Sequence, residues 1–447
     1  MEQDLTTGSV FKRIVYFSLL YLLSYFLQTL YGMADLFITG QFYGVDTITA
    51  VSNGSQIMHM MTVIIVGLAM GTTVTIGHSV GAKCMEQAEK IIGNTITLFM
   101  GIAVAFTVIL VVLVKPIVVL IATPQEAVAG TSIYLLICFI GIPFITAYNI
   151  ISSIFRGLGD SKSPMYFIGI ACVMNIALDY LFMGAFHMGA AGAALGTVCA
   201  QTFSVLVTLW VIRRRKTGIS LKKSDFKIER AVIGQVLKIG IPVALQDGFI
   251  QVAFMIITVI ANSRGVSDAA AVGVVEKVIS ALFIVPSSML ATVSALSAQN
   301  LGAGKEKRAT DTLRYATVIT TIYGMIVAVL IQFIAENVVG IFTSDTTVVT
   351  MGSAYIRSYI WDCIFAGIHF SFSGYFAACG KSYIGFLHNI ISITFVRVPG
   401  SYLASKYFTD TLYPMGLAAP AGSLVSVAIC VTAFILLKRK SRVAQTA

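Results

Sequence analysis

Long stretches of this chain run without a single Asp, Glu, Lys or Arg, among them residues 47–82, 91–114, 127–155, 180–212, 278–304, 315–335 and 411–437. Each reaches or exceeds the roughly 20 residues an α-helix needs to cross a bilayer. Gly, Pro and polar residues divide the longer ones. The pattern predicts twelve helical spans, near 13–38, 48–75, 91–114, 128–153, 164–185, 189–212, 233–260, 270–297, 313–337, 351–376, 383–405 and 414–437.

Composition agrees. The 447 residues are 57% hydrophobic and 11% charged, against about 25% charged in a soluble domain. Mean hydropathy is +0.88. The natural solvent is lipid. The segment from Met1 to Val10 shows no cleavable leader pattern, and the apolar stretch behind it is long enough to span. The seven cysteines are scattered without disulfide or metal spacing and are read as small packing residues.

The net charge of +10 raises the question of nucleic acid; its distribution excludes it. Alternate loops hold 24 of the basic residues on one side, and the opposite side holds three, Lys115, Arg264 and Lys406. That asymmetry is the positive-inside signature and predicts cytoplasmic termini, hence an even number of spans.

The chain also resembles itself at an offset of 221 residues. Ala50-Val51 falls on Ala271-Val272, Gly81-Ala82 on Gly302-Ala303, Tyr134 on Tyr355 and Gly159 on Gly380. The register slips to 227 at Met188-Gly189 and Met415-Gly416, behind a longer outer loop. Each repeat holds six spans, so the two are parallel, an arrangement associated with alternating-access transporters. The expected fold is an all-α polytopic membrane protein of twelve transmembrane helices. Residues 1–212 form a first lobe, 213–232 a basic cytoplasmic linker and 233–447 a second lobe. The linker reads as a solvated loop held by anionic lipid.

Ionisable groups inside spans are costly and mark function. Gln28, Tyr31 and Asp35 share one helix face, and Asn175 and Asp179 share another. Thr197 lies in span six. Acids in a low-dielectric cavity can load a proton, bind Na⁺ or pair with a cationic substrate; the competing reading leaves Asp35 wet and inert at its span's outer end. The second half carries a set of mixed sign: Asp247, Gln251, Glu276, Lys277, Arg357, Asp362 and Arg397. Structural ion pairs, such as Arg357 with Asp362, are the first expectation there; the alternative is a second-lobe polar site for transport formed by Asp247, Gln251, Glu276, Lys277, Arg357 and Asp362. His59, His369 and His388 stand alone on apolar helices and are expected to serve core hydrogen bonding. No Gly-x4-Gly-Lys-Ser/Thr phosphate loop and no His-Glu-x-x-His motif occurs, so the chain reads as no enzyme, and its energy comes from a gradient or a partner.

The loops carry a family resemblance. Arg156-Gly-Leu-Gly-Asp-Ser-Lys-Ser-Pro-Met165 after span four, Ala298-Gln-Asn-Leu-Gly-Ala-Gly304 after span eight and its counterpart Gly77-His-Ser-Val-Gly-Ala-Lys83 resemble signatures of the multidrug and toxic compound extrusion (MATE) family. The resemblance runs over roughly residues 10–440. It implies a two-lobed exporter of small, often cationic compounds, coupled to H⁺ or Na⁺ and working as a monomer among membrane lipids without further cofactor. In the branch named for DNA-damage-inducible protein F, it implies that Asp35, Asn175, Asp179 and Thr197 hold the coupling ion, a proton or Na⁺. It further implies that Gln28, Tyr31 and Asn149 line the substrate cavity. Span one has no proline, unlike some archaeal members, and the region matching the NorM-type glutamate reads Ile250-Gln251. The alternative reading is a flippase for lipid-linked precursors or polysaccharide, for which Lys277, Arg357 and Arg397 would supply a basic cavity. A bacterial or archaeal inner membrane is the expected location.

Overall fold

A computed structural model describes residues 4–214 and 220–446, with side chains to residue 439. Arg215 and Lys216 of the basic linker lie outside the described residues, as do the side chains of Lys440 and Arg442. Among the described residues there are sixteen α-helices and no strand. In order they are α1 Val10–Phe42, α2 Val45–Gly81, α3 Met85–Leu120, α4 Gln125–Ile140, α5 Ile142–Gly157, α6 Lys162–Asp179, α7 Gly189–Arg214, α8 Arg230–Asn262, α9 Val266–Leu282, α10 Ile284–Gly302, α11 Glu306–Gly340, α12 Thr346–Tyr359, α13 Asp362–Ala378, α14 Ser382–Ser392, α15 Val398–Tyr407 and α16 Tyr413–Thr446. Two π-helical turns interrupt the series, Tyr180–Ala185 after α6 and Ile393–Arg397 after α14.

Every predicted span falls on one helix or on a broken run of helices. Nine stretches among the described residues are long and apolar enough to cross a bilayer as they stand. The pair α4 and α5 makes a tenth, bent by 52°. The bend has a local cause: Pro143 in the first turn of α5 has no N–H to donate back into α4. The spans expected at 351–376 and 383–405 fall on α12 with α13, and on α14, a π-turn and α15. No helix in these two runs is long enough to cross by itself.

The chain forms two compact units. Leu19–Ala244 makes up most of the first, and Leu245–Leu301 with Lys305–Ala447 most of the second. Their cores use the same repeat positions. In the first unit Ala50, Val51, Val118, Ala127, Tyr134 and Leu135 pack together. In the second, Ala271, Val272, Val339, Val348, Tyr355 and Ile356 do so, each 221 residues on. The turns repeat as well. Gly159 and Gly380 both take left-handed backbone, φ +89° and +68°, and so do Lys83 and Gly304. Beyond each turn the chain returns an amide to the helix it left, Asp160 to the Phe155 carbonyl and Lys381 to that of Phe376. Lipid tails are as apolar as leucine, so close fit rather than water exclusion holds such helices together. At Gly54 the Tyr134 ring occupies the space a side chain would need.

The described part of the linker, from Ser220, stays exposed at every residue to Arg230 except Asp225, and it is also held to α3. Asn94 of α3 donates its amide to the Asp225 carbonyl at 3.0 Å and accepts the Glu229 amide at 2.7 Å. Thr97 donates to the Phe226 carbonyl at 2.9 Å, and Glu89 accepts the Ser220 amide at 2.6 Å. Gly93 leaves room for the Asp225 backbone to lie against α3. Asn94 thereby satisfies two backbone groups of the segment that covers it.

Candidate functional site

In the first unit three helices bring four predicted residues together. Asp35 comes from α1, Asn175 and Asp179 from the last turn of α6, and Thr197 from α7. The Thr197 hydroxyl donates to Asp35 Oδ2 at 3.2 Å, and Asn175 and Asp179 lie beside the same carboxylate. The site is dry: Asp35 is 3% exposed and Asp179 0%. Asp35 is thus buried and not at a wet helix end. Asp35 Oδ1, both Asp179 oxygens and both polar atoms of the Asn175 amide lack a hydrogen-bond partner among the described residues.

The backbone explains the convergence. Thr39, one turn after Asp35, returns its hydroxyl to the Asp35 carbonyl at 2.6 Å. Tyr43 donates to the Met183 carbonyl, freed by the π-turn, at 3.0 Å, and accepts the Gly189 amide at 2.9 Å. The end of α1 is thereby pinned to the turn that follows Asp179. A π-turn carries an extra residue and re-aims side chains, and such turns are frequent at functional sites.

One contributor escapes sequence reasoning. Gly196, next to Thr197 on α7, faces Asp179 so closely that a Cβ there would collide with the Asp179 carboxylate. In sequence it is one small residue among many on a Gly- and Ala-rich helix; the available signal was its neighbour Thr197.

Of the lining residues, Gln28, Tyr31 and Asp35 follow one another on a single face of α1, with Tyr31 beside both others. Asn149 on α5 is buried and donates to the Ile145 carbonyl at 2.8 Å.

The donor set is two carboxylates, an amide oxygen and a hydroxyl. Two buried carboxylates without countercharge are costly, so the site calls for a proton or a cation. All four groups offer hard oxygen, which suits Na⁺ as well as a proton, and the unpartnered oxygens are free to serve.

The second unit's predicted set does not assemble as one group. Lys277 is exposed. Arg357 pairs with Glu336 of α11 at 3.3 Å, not with Asp362, because the break at Ile360 and Trp361 separates α12 from α13. Asp247 and Gln251 are half-buried on α8 and make no hydrogen bond to the rest among the described residues. Glu276 accepts from Thr258 at 3.3 Å. Glu276 and Asp362 instead gather around Arg397, which donates to the Tyr359 hydroxyl and lies over the Phe254 ring at 5.0 Å. His369 and His388 are not solitary: their rings meet edge to face with centroids 5.3 Å apart. The α13–α14 hairpin, turning at Cys379–Lys381, brings them together although His369 lies about one helical turn farther from Gly380 than His388 does. His59 is partly buried on α2.

Comparison with known proteins agrees with this architecture. The MatE family model matches twice, at residues 21–181 and 242–403. The two matches begin 221 residues apart, the offset of the internal repeat. The chain is 30% identical over 415 residues to the "Probable multidrug resistance protein YpnP" of Bacillus subtilis (strain 168), covering 93% of each chain. It superposes on the structure described as "Crystal structure of MATE in complex with MaL6" with a TM-score of 0.90 at 20% identity, covering 99% of both chains. It superposes on a MOP superfamily transporter from Pyrococcus furiosus, described as having a binding pocket of reverse polarity, with a TM-score of 0.89 at 20% identity, covering 98% of this chain and 97% of that one. The chain belongs to the MatE family. It is a multi-pass membrane transporter, not an enzyme.

Proposed function

We propose that the protein is a secondary active antiporter that exports small, often cationic or amphiphilic compounds in exchange for H⁺ or Na⁺. The observation that carries this is the buried pair Asp35 and Asp179 with unpartnered oxygens. Asp35, Asp179, Asn175 and Thr197 would hold the coupling ion, and Gln28, Tyr31 and Asn149 the substrate cavity. The acids bind either the ion or a cationic substrate, since two positive charges cannot share one pair of oxygens cheaply. Exchange follows if the ion binds the two access states unequally, since only differential affinity moves that equilibrium. Residues 1–212 and 233–447 then act as the two lobes of alternating access. The acid in α1 and the Asn-x-x-x-Asp pair of α6 support a reading nearer the DinF-like branch than NorM.

The flippase reading needs a basic cavity. Lys277 is exposed, Arg357 is paired with Glu336, and Arg397 is flanked by two carboxylates. No basic cluster stands uncompensated among these residues, which favours the cation exporter.

The test is efflux of a cationic dye from proteoliposomes, with ΔpH and ΔNa⁺ imposed separately. Asp35→Asn and Asp179→Asn, incorporated at wild-type levels, should each lose at least about tenfold of ion-driven efflux, a coupling of about 1.4 kcal/mol. Wild-type rates in both variants would refute the site.

A further inference from the structure

We propose that residues 220–230 form a lipid-binding surface of the first unit, which lies in the membrane interface and takes anionic phospholipid headgroups. The surface is separate from the ion site, and its test needs no transport.

Three observations carry it. The first is depth. The segment is fixed to α3 at Gly93, Asn94 and Thr97. These are the third, fourth and seventh residues of the charge-free stretch 91–114. By the rise of an α-helix they stand about 3–9 Å past its start. The charges that precede the stretch on α3 are Glu86, Glu89 and Lys90. The segment is therefore held where headgroups give way to acyl chains, the level at which interfacial segments settle, about 5–10 Å deep. A loop standing in water would be anchored before residue 91, not beyond it.

The second is direction. Thr97, Gly101, Val104, Val108 and Val112 follow one another at helical spacing on a single face of α3. All three valines are exposed. Exposed apolar side chains on a spanning helix face acyl chains, which are as apolar as they are. Thr97 stands at the headgroup end of this lipid-facing stripe. Its hydroxyl donates to the Phe226 carbonyl, so the segment closes the stripe off at that end.

The third is chemistry. The segment reads Ser220-Leu-Lys-Lys-Ser-Asp-Phe-Lys-Ile-Glu-Arg230. Leu221, Phe226 and Ile228 are exposed, Ile228 by 61%. In water such side chains are a cost; at this depth they enter the acyl boundary. Lys222, Lys223, Lys227 and Arg230 are exposed between and beside them. Of the two acids, Asp225 is buried and accepts the Lys222 amide at 2.7 Å, which leaves Glu229 as the outward one. Basic side chains interleaved with apolar ones suit an anionic bilayer: charge meets headgroup, and apolar body meets acyl chain. Basic charge alone leaves a loop above the headgroups. The anchors on α3 and three apolar side chains set this one among them.

The experiment attaches a nitroxide at Ile228→Cys in full-length protein carrying Cys84→Ser, since Cys84 is the exposed native thiol among the described residues. The protein sits in nanodiscs of phosphatidylcholine, with or without phosphatidylglycerol. Power-saturation EPR compares collisions with oxygen, which concentrates among acyl chains, and with a water-soluble nickel chelate. At Ile228→Cys oxygen should dominate, and phosphatidylglycerol should cut nickel contact at least about twofold. The same label at Lys223→Cys should meet nickel more often. Lys222→Gln, Lys223→Gln and Lys227→Gln combined should keep the wild-type melting temperature and lose the phosphatidylglycerol effect. The proposal is overturned if the Ile228→Cys label meets nickel as freely as the Lys223→Cys label, or if the triple variant keeps the full phosphatidylglycerol effect. It also fails if inorganic phosphate at matched ionic strength abolishes that effect, which would make this a site for the free anion. Shielding confined to discs that hold two copies would assign the face to a second copy instead.

Discussion

Gly196 shows how much one missing methyl can decide. A Cβ there meets the terminal oxygen of Asp179, which can swing away, rather than backbone, which cannot. Gly196→Ala should therefore fold, with a melting temperature close to wild type. It should displace the Asp179 carboxylate and lower dye efflux severalfold in the proteoliposome assay. An unfolded variant would show that the site is part of the packing. Gly54 is the contrast, since a side chain there meets the Tyr134 ring in the core of the first unit. At this scale the sequence was readable where spacing alone sets geometry. Asn175 and Asp179 are four apart on a helix, and Gln28, Tyr31 and Asp35 follow the same rule. It was not readable where two helices must meet. Nothing in the order of residues says that Gly196 faces Asp179, or that Arg357 turns to Glu336.

Between residues and molecule stand the breaks and turns. The apolar runs revealed the helices because each crossing demands some 20 residues without charge. They hid the breaks at Gly141 and at Ile360–Trp361, where apolar content stays constant and the change is in backbone direction. The His369–His388 pairing stayed hidden because it depends on the register of the α13–α14 hairpin, which the turn fixes. The π-turns follow the same logic, since Asp179 directly precedes one and Arg397 ends the other. The linker is a further case: its charges told of an exposed loop, but no spacing in the sequence pairs it with Asn94. Asn94→Ala removes two linker contacts. Trypsin should then cut at Lys222, Lys223 or Lys227 markedly faster than in wild type, as mass spectrometry of the fragments would reveal. Equal rates would show that the remaining contacts of Glu89 and Thr97 suffice to hold the segment.

For the whole molecule, the repeat was the most legible feature, because a constant offset survives while individual matches do not. Duplicated cores, turns and family matches all follow it. The orientation expected from the basic loops has a built-in reporter. Cys84 is exposed in the turn after α2, and the other six cysteines are buried or partly so. A membrane-impermeant maleimide should label Cys84 in inside-out vesicles and leave it unlabelled in right-side-out ones; the reverse result would invert the topology.

The docking of residues 220–229 on α3 bears on how the chain could be cut. A break between Arg214 and Ser220 leaves those residues attached to the downstream fragment, although their partners Glu89, Asn94 and Thr97 belong to the upstream one. The downstream piece thus begins with a peptide already shaped to find the other. Co-expressed as two polypeptides divided there, the fragments should co-purify and restore efflux. A division after Glu229 should recover less of both, because it strands the peptide on the piece it already fits.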